Sequence, residues 1–249
     1  IWLIMSGFKL IKKSWASVYI DYGMQRYSTW IGEHYGPMGR GYFNYRNLSE
    51  LEKTNLYGKP RSRIEYFLKS YPRTLKYEDG QSILDAGCGR GQNIKVLAEY
   101  VPSSTIKAFD VSEGALSVVE LGVENKKQIQ TEVGSITDIN YLKQYPTNGF
   151  DHVLLSHVFS FIISGSEAES LQLRQQIIDE LIRISSRTVL ILDGPGILHL
   201  KEPSFNIEQL QRASYTESII HYFNKHLNHG EVCAIFSTER SFGVFFQQN

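Results

Sequence analysis

The chain has few cysteines, no long apolar run and no net charge, and each of these absences removes a class of protein. With only Cys88 and Cys233 among 249 residues, neither a disulfide framework nor a cysteine-rich metal site can form, which favours a reducing compartment. No stretch approaches the roughly 18 apolar residues of a membrane span, and the apolar residues 1–5 are too few for a signal peptide. Lys+Arg and Asp+Glu both number 26, so the overall basic excess typical of a nucleic-acid binder is absent. We therefore expect a cytoplasmic globular protein with no membrane partner.

The neutral total hides a division in composition along the chain. Residues 1–75 contain 12 Lys/Arg against 5 Asp/Glu, together with all three tryptophans and nine of the fifteen tyrosines. Gly and Pro interrupt residues 32–45, which predicts an ordered loop, whereas the apolar spacing of residues 61–71 predicts a helix that stops before Pro72. We expect a cap or lid over residues 1–75 and a main domain over residues 76–249.

From residue 81 onward, short apolar runs rich in β-branched residues alternate with longer stretches of helical periodicity. Five runs are predicted strands: 82–85, 105–109, 128–133, 151–156 and 188–193. Four stretches are predicted helices: 92–100, 112–122, 167–184 and 207–227. A last pair of strands, 231–238 and 241–247, forms a predicted antiparallel hairpin, with Cys233 in the core. The βα alternation predicts an α/β fold, a doubly wound parallel sheet covered by helices on both faces.

The most specific segment is the turn after the first predicted strand, Ile83-Leu84-Asp85-Ala86-Gly87-Cys88-Gly89-Arg90-Gly91. Three glycines at alternate positions allow positive φ and leave no Cβ between the main chain and a ligand, while the following helix offers free N–H groups. A dinucleotide fingerprint would need glycine at position 92 or 94, where the chain has Gln92 and Ile94. No Gly-Lys-Ser/Thr follows for a P-loop. The NAD and P-loop interpretations are therefore disfavoured.

The acidic-x-G-x-G-x-G pattern of this turn resembles the first motif of the class I S-adenosylmethionine-dependent methyltransferases. The resemblance covers about residues 80–249. It implies a Rossmann-like sheet of seven strands with the last one antiparallel, in agreement with the predicted hairpin. It also implies S-adenosylmethionine as cofactor and S-adenosylhomocysteine as product, with the methionine end held by Asp85, Gly87, Gly89 and Gly91.

Further positions match the cofactor motifs of the same family. Asp110, after the second predicted strand, corresponds to the acid that accepts hydrogen bonds from both ribose hydroxyls, and a carboxylate can accept two such bonds. An ordinary N-cap of the next helix is the alternative for Asp110. The resemblance places Val111 and Ile136 beside the adenine, and puts Ser135 where many relatives carry an acid, with Asp138 as a substitute.

Ser156 and His157 follow the fourth predicted strand, where members of this family face both cofactor and acceptor. Methyl transfer from a sulfonium is an in-line displacement, so positioning and desolvation supply most of the catalysis. An alcohol acceptor also needs a base, and a neutral imidazole near pH 7 makes His157 the candidate catalytic residue. A structural histidine after a strand is an equal alternative. No acidic cluster with metal-ligand spacing is present, so no metal is expected.

The predicted acceptor is a small, polar and anionic molecule, such as a phosphorylated or carboxylated metabolite or a sugar, with O-methylation favoured over N-methylation. The segment from Ser156 to Phe159 differs from the Asn/Asp-Pro-Pro-aromatic motif of base- and glutamine-methylating enzymes, and neither cysteine belongs to a Pro-Cys pair. Arginine forks bind anions and aromatic faces stack on sugars or flat rings. The candidate acceptor-binding residues are Tyr35, Arg40, Arg46 and His199.

Other functions stay open at this level. The arginines and aromatics of residues 1–75 can equally be solvated or pack the cap onto the main domain. A fold member that binds cofactor without turnover would act as a regulator or scaffold. The basic and aromatic cap also leaves an RNA-modifying enzyme as a further alternative. The sequence determines neither the oligomeric state nor the acceptor.

Overall fold

A computed structural model of the chain describes residues 62, 64–111, 113–117, 119, 128–159, 162, 167–193, 219–236 and 242–249. Within them, seven strands form one sheet in the order β3-β2-β1-β4-β5-β7-β6. The strands are β1 Ser82–Ala86, β2 Thr105–Asp110, β3 Ile129–Val133, β4 Phe150–Ser156, β5 Ser185–Asp193, β6 Gly230–Phe236 and β7 Phe242–Gln248. The α-helices are α1 Ile64–Ser70, α2 Pro72–Leu75, α3 Gln92–Tyr100, α4 Glu113–Leu116, α5 Ile139–Leu142 and α6 Glu167–Ile184, and a short 3₁₀ helix covers Asn224–His226.

The order of the strands in the sheet reverses once, between β1 and β4, and this reversal matters for ligand binding. Strands β1 to β5 pair in parallel, whereas β7 is antiparallel to both β5 and β6. The predicted α/β, doubly wound, Rossmann-like sheet with an antiparallel last strand is therefore confirmed. The chain moves outward from β1 to β3 and then returns to β4 on the other side of β1. Ligands in such sheets bind at the carboxyl ends of the strands beside this switch point.

The central strands β1 and β4 are buried along most of their length, because helices cover both faces of the sheet. Alternate residues of β1 point to opposite sides, so Leu84 joins one buried cluster and Ile83 the other. The α6 side chains Ile177, Ile178 and Leu181 complete the first cluster. Full burial of side chains of this size stabilises the fold by about 1.5–3 kcal/mol each. The second cluster is completed by residues of α1, α2 and α3: Ile64, Phe67, Leu68, Leu75, Ile94 and Leu97.

Several predicted elements match the structure, and one predicted core residue does not. The helices 92–100 and 167–184 have their predicted bounds, and α1 lies within the predicted helix 61–71. Strand β5 begins three residues earlier than predicted, because Ser185 pairs with Phe150 before a register shift. Cys233 is exposed, so its assignment to the core is wrong. It lies on β6, which is at the edge of the sheet that the described strands form.

His152 in β4 is a buried histidine with both ring nitrogens hydrogen bonded. Its Nε2 donates to Oε1 of Gln81 at 2.6 Å, and its Nδ1 lies 2.7 Å from the hydroxyl of Thr188. The ring stacks on Tyr77 with centroids 4.1 Å apart. Burial lowers the pKa of His152 to about 4, because the protonated ring would lose its hydration. This histidine therefore belongs to the core and lies in the amino-terminal half of its strand.

No helix among the described residues combines the length and apolar character that a bilayer crossing requires.

Candidate functional site

The turn after β1 is a backbone cradle shaped by three glycines. Gly87, Gly89 and Gly91 have φ of +77°, +55° and +78°, a region that glycine enters at little cost. The amides of Gly87 and Cys88 both donate to the carbonyl of Phe109 in β2, at 2.8 and 3.0 Å. A Cβ on Gly87 would lie only 2.5 Å from Cγ2 of a valine that follows β4. Only glycine therefore fits at the start of the cradle.

Asp85 is a fully buried acid near the carboxyl end of β1, two residues before the cradle. Its side chain has 0% exposure, and neither carboxylate oxygen has a hydrogen-bond partner. Burial and, secondly, the negative charge of Asp110 raise the pKa of Asp85 to about 7. An isolated buried carboxylate is costly. A positively charged ligand group that reached Asp85 would relieve this cost.

Asp110 lies at the end of β2 on the other side of the cradle. It is 8% exposed, and its Oδ2 accepts a hydrogen bond from the amide of Gly89 at 2.8 Å. The structure thus brings the two predicted acids, Asp85 and Asp110, to the same glycine turn. Next to Asp110 lie two exposed apolar residues at neighbouring strand ends, Val111 at 49% and Val133 at 58% exposure. Sequence reasoning named Val111 only.

The loop after β3 holds the other predicted cofactor contacts. Ser135 shares a hydrogen bond of 2.9 Å with the hydroxyl of Thr137. Ile136 is 7% exposed and packs into the same core cluster as Phe109. Asp138 is the N-cap of α5, and its Oδ1 accepts hydrogen bonds from two backbone amides of the first helical turn. This oxygen therefore stabilises the start of the helix.

The end of β4 carries a histidine in a strained backbone conformation. Ser156 is 9% exposed, and His157 follows it with φ of +56°, a left-handed conformation rarely adopted by a residue with a side chain. The amide of His157 donates to the carbonyl of Leu192 in β5 at 2.7 Å, which holds this conformation. Strain of this kind is concentrated at functional sites.

Another acid, Asp193, lies beside this histidine. Oδ1 of Asp193 is 3.9 Å from Nδ1 of His157, and Asp193 has 0% exposure while the histidine is 28% exposed. Sequence reasoning missed Asp193. The available signal was its place at the end of the predicted strand 188–193, the same sheet edge as Ser156.

Some predictions fall outside the part of the chain that the structure describes. They include most of the predicted cap and the four acceptor-binding candidates, Tyr35, Arg40, Arg46 and His199. Among the described residues, no group of three or more His, Cys, Asp or Glu side chains could hold a metal ion. Burial raises the pKa of the Cys88 thiol well above its usual range, so this side chain is a neutral filler of the cradle.

Comparison with known proteins gives a family model that matches part of the chain, and a shared fold. Residues 83–176, from β1 into α6, match the family model described as a methyltransferase domain. A protein of Pseudanabaena tenuis named uncharacterized phycocyanin operon protein W is 36% identical over 52 residues, 21% of this chain and 49% of that protein. The chain thus spans about half the length of this curated relative.

Two solved structures share the fold at low identity. A candidate S-adenosylmethionine-dependent methyltransferase from Methanococcus maripaludis is 15% identical, with 74% of this chain and 84% of that chain covered and a TM-score of 0.52. An O-methyltransferase family protein from Burkholderia thailandensis is 12% identical, with 68% and 51% covered and a TM-score of 0.51. The family match contains the glycine cradle, and the two structures share the overall fold.

Proposed function

We propose that this chain, a class I S-adenosylmethionine-dependent methyltransferase, transfers the methyl group of its cofactor to a small polar acceptor that carries an anionic group. S-adenosylmethionine supplies a methyl group activated by a positively charged sulfur, and this charge is lost as the acceptor atom bonds to carbon. One observation carries the proposal: a buried acid without partners, Asp85, lies beside a three-glycine cradle at the switch point of the sheet.

The residues of the cradle fit the cofactor in charge and shape. The ammonium group of its methionine end complements the Asp85 carboxylate, and the glycines keep side chains out of the space beside it. In the proposal, Asp110 accepts hydrogen bonds from the ribose hydroxyls. Val111, Ser135 and Ile136 would contact the adenine, and Ser156 would face the cofactor from β4.

In the proposed mechanism, His157 accepts the proton of an acceptor hydroxyl as the methyl group is transferred. Asp193 stabilises the imidazolium that results, because its buried carboxylate lies 3.9 Å from Nδ1. An ionised carboxylate or phosphate acceptor would not need this base. The pairing of His157 with Asp193 therefore favours a hydroxyl group as the methylated site. The proposed negative charge of the acceptor rests instead on the candidate contacts Arg40 and Arg46. Tyr35, Arg40, Arg46 and His199 remain proposed acceptor contacts.

A product-based screen tests this function. The full chain is incubated with S-adenosylmethionine and a panel of hydroxylated carboxylates, sugar phosphates, uncharged alcohols and bulk tRNA, and S-adenosylhomocysteine is quantified. We expect turnover with a hydroxylated anion, and loss of at least about 100-fold in His157→Gln, the usual contribution of a general base. The matched control is Cys233→Ser, an exposed site on the edge strand.

Two outcomes would contradict the proposal. Turnover with tRNA alone would assign the protein to RNA modification. Tight cofactor binding without product from any acceptor would instead support a regulator or scaffold.

A further inference from the structure

Arg174 is a buried cation on the core-facing side of α6. Its side chain is 3% exposed, and it precedes the core residues Ile177 and Ile178 by three and four positions. Its Nε donates to the carbonyl of Ile162 at 2.9 Å, and its guanidinium carbon lies 5.3 Å from the centre of the Phe159 ring. The Nη2 atom is buried and has no hydrogen-bond partner.

The hydrogen bond to Ile162 and the contact with the Phe159 ring offset only part of the electrostatic cost of burying this charge. A guanidinium stays protonated in proteins, so burial cannot neutralise it as it can an acid or an amine. Among the described residues, no carboxylate forms an ion pair with Arg174. Arg183, on the same helix, differs: its three nitrogens donate to Glu180 and to the carbonyls of Tyr145 and Leu142.

Arg174 is linked to the candidate site by the part of the chain that follows β4. The segment 157–162 connects the two regions: it begins at His157, and Val158 lies so close to Gly87 that a Cβ there would overlap it. The next contacts of the segment, Phe159 and Ile162, are those that hold the guanidinium. The attraction between this guanidinium and an anion beside it is screened less by water than at an exposed arginine.

We propose that Arg174 recognises the acceptor, and that its Nη2 donates to a carboxylate or phosphate oxygen of that molecule. This proposal rests on the methyltransferase function proposed above. It specifies the class of substrate, and the residue that recognises the substrate belongs to the predicted main domain. The anion supplies both the missing acceptor for Nη2 and the counter-charge. The resulting charge-assisted hydrogen bond is one of the stronger kinds in proteins.

Anion binding by the full chain tests this role without knowledge of the acceptor. Thermal unfolding is followed with saturating S-adenosylhomocysteine at increasing concentrations of inorganic phosphate or acetate. Sodium chloride at matched ionic strength is the reference. We expect a saturable rise in the melting temperature of the wild type with at least one anion. The arm that gives the larger effect distinguishes a phosphorylated acceptor from a carboxylated one.

Variants assign the effect to this side chain. In Arg174→Gln the apparent anion affinity falls at least ten-fold, while the affinity for S-adenosylhomocysteine changes less than two-fold. In the control Arg187→Gln, an exposed residue paired with Asp151 in the amino-terminal half of β4, the anion affinity is unchanged. Arg174→Lys keeps the charge but not the planar fork, so it retains weakened anion binding.

The proposal is overturned if the wild type shows no anion-specific stabilisation, or if Arg174→Gln keeps it. If Arg174→Gln does not fold, side-chain nitrogen spectra of the wild type decide, with Arg174→Lys used to assign the signal. Phosphate or acetate must then shift the Arg174 resonance, and an unshifted resonance refutes the role. Failure of the wild type to bind S-adenosylhomocysteine would refute the proposed function instead, and calorimetry detects that separately.

Discussion

Asp85 gives the sharpest prediction, because its ionisation opposes folding until a cationic ligand binds. Burial and the charge of Asp110 raise the pKa of this acid from 3.8 to about 7. Between these two values the unfolded chain has released the proton while the folded protein retains it. The free energy of unfolding contributed by Asp85 therefore falls as pH rises through this window, and is lowest above pH 7.

The size of the effect follows from the shift. Each pKa unit corresponds to 1.36 kcal/mol, so the three-unit shift amounts to about 4 kcal/mol between acidic and alkaline conditions. Replacement by Asn removes the titration at nearly constant volume. Asp85→Asn should therefore match the wild type near pH 4 and become the more stable protein by up to about 4 kcal/mol near pH 8.

Denaturant unfolding of the ligand-free wild type and Asp85→Asn at several pH values measures this difference. Groups that titrate equally in both proteins cancel in the subtraction. Calorimetry of donor binding in buffers of different ionisation enthalpy supplies the second measurement. We expect proton release when S-adenosylmethionine binds the wild type near pH 6, where its amino group is already protonated, and no such release in Asp85→Asn.

A stability difference that is constant with pH would refute the burial reasoning. Donor binding without proton release near pH 6 would show that the ligand does not compensate the Asp85 charge. Asp110→Asn serves as a check on the secondary cause, because loss of the neighbouring charge should lower the pKa of Asp85 only in part.

Three further predictions concern the cradle, the proposed base and the core. Gly87→Ala should weaken donor binding at least ten-fold, and it should destabilise the folded protein more than Gly80→Ala does. Both glycines have positive φ, but only at Gly87 would a Cβ overlap a side chain. Calorimetry compares the donor affinities of the two variants, and denaturant unfolding compares their stabilities. Asp193→Asn should lower turnover about ten-fold or more with donor affinity unchanged, and equal turnover would remove the residue from the mechanism. Burial lowers the pKa of His152 to about 4, so between pH 6.5 and 4 the unfolded chain binds a proton that the folded protein does not. The wild type should therefore lose about 3 kcal/mol of stability as pH falls through this range, and His152→Gln should not. Parallel curves of stability against pH for the two proteins would contradict this reasoning.

Local sequence signals were sufficient for the cradle and much of the fold. Periodicity predicted α6 over residues 167–184, and the spacing of glycines after Asp85 indicated the candidate ligand-binding turn from the sequence alone. These signals depend on neighbours along the chain: which face of a helix is apolar, and where φ must be positive. The same holds for Asp110, whose place after the second strand was enough to bring it to the cradle.

The residues that sequence reasoning missed are those whose partners lie far away in the chain. Asp193 meets His157 only because β4 and β5 are adjacent in the sheet, and Arg174 donates to the carbonyl of a residue twelve positions earlier, Ile162. The helical spacing of Arg174 with Ile177 was a usable signal of burial. Cys233 was assigned to the core because its strand is apolar, whereas its exposure depends on the strand order, which places β6 at the edge.

The central claim is that the cradle of Gly87, Gly89 and Gly91 with its two acids binds an adenosyl sulfonium. Calorimetric titration of the full chain with S-adenosylmethionine, S-adenosylhomocysteine and NAD tests it most directly, beside Asp110→Ala and Gly89→Val. The prediction is micromolar binding of the first two ligands, none of NAD, and loss of binding in both variants. Micromolar binding of NAD without binding of either adenosyl ligand would contradict it.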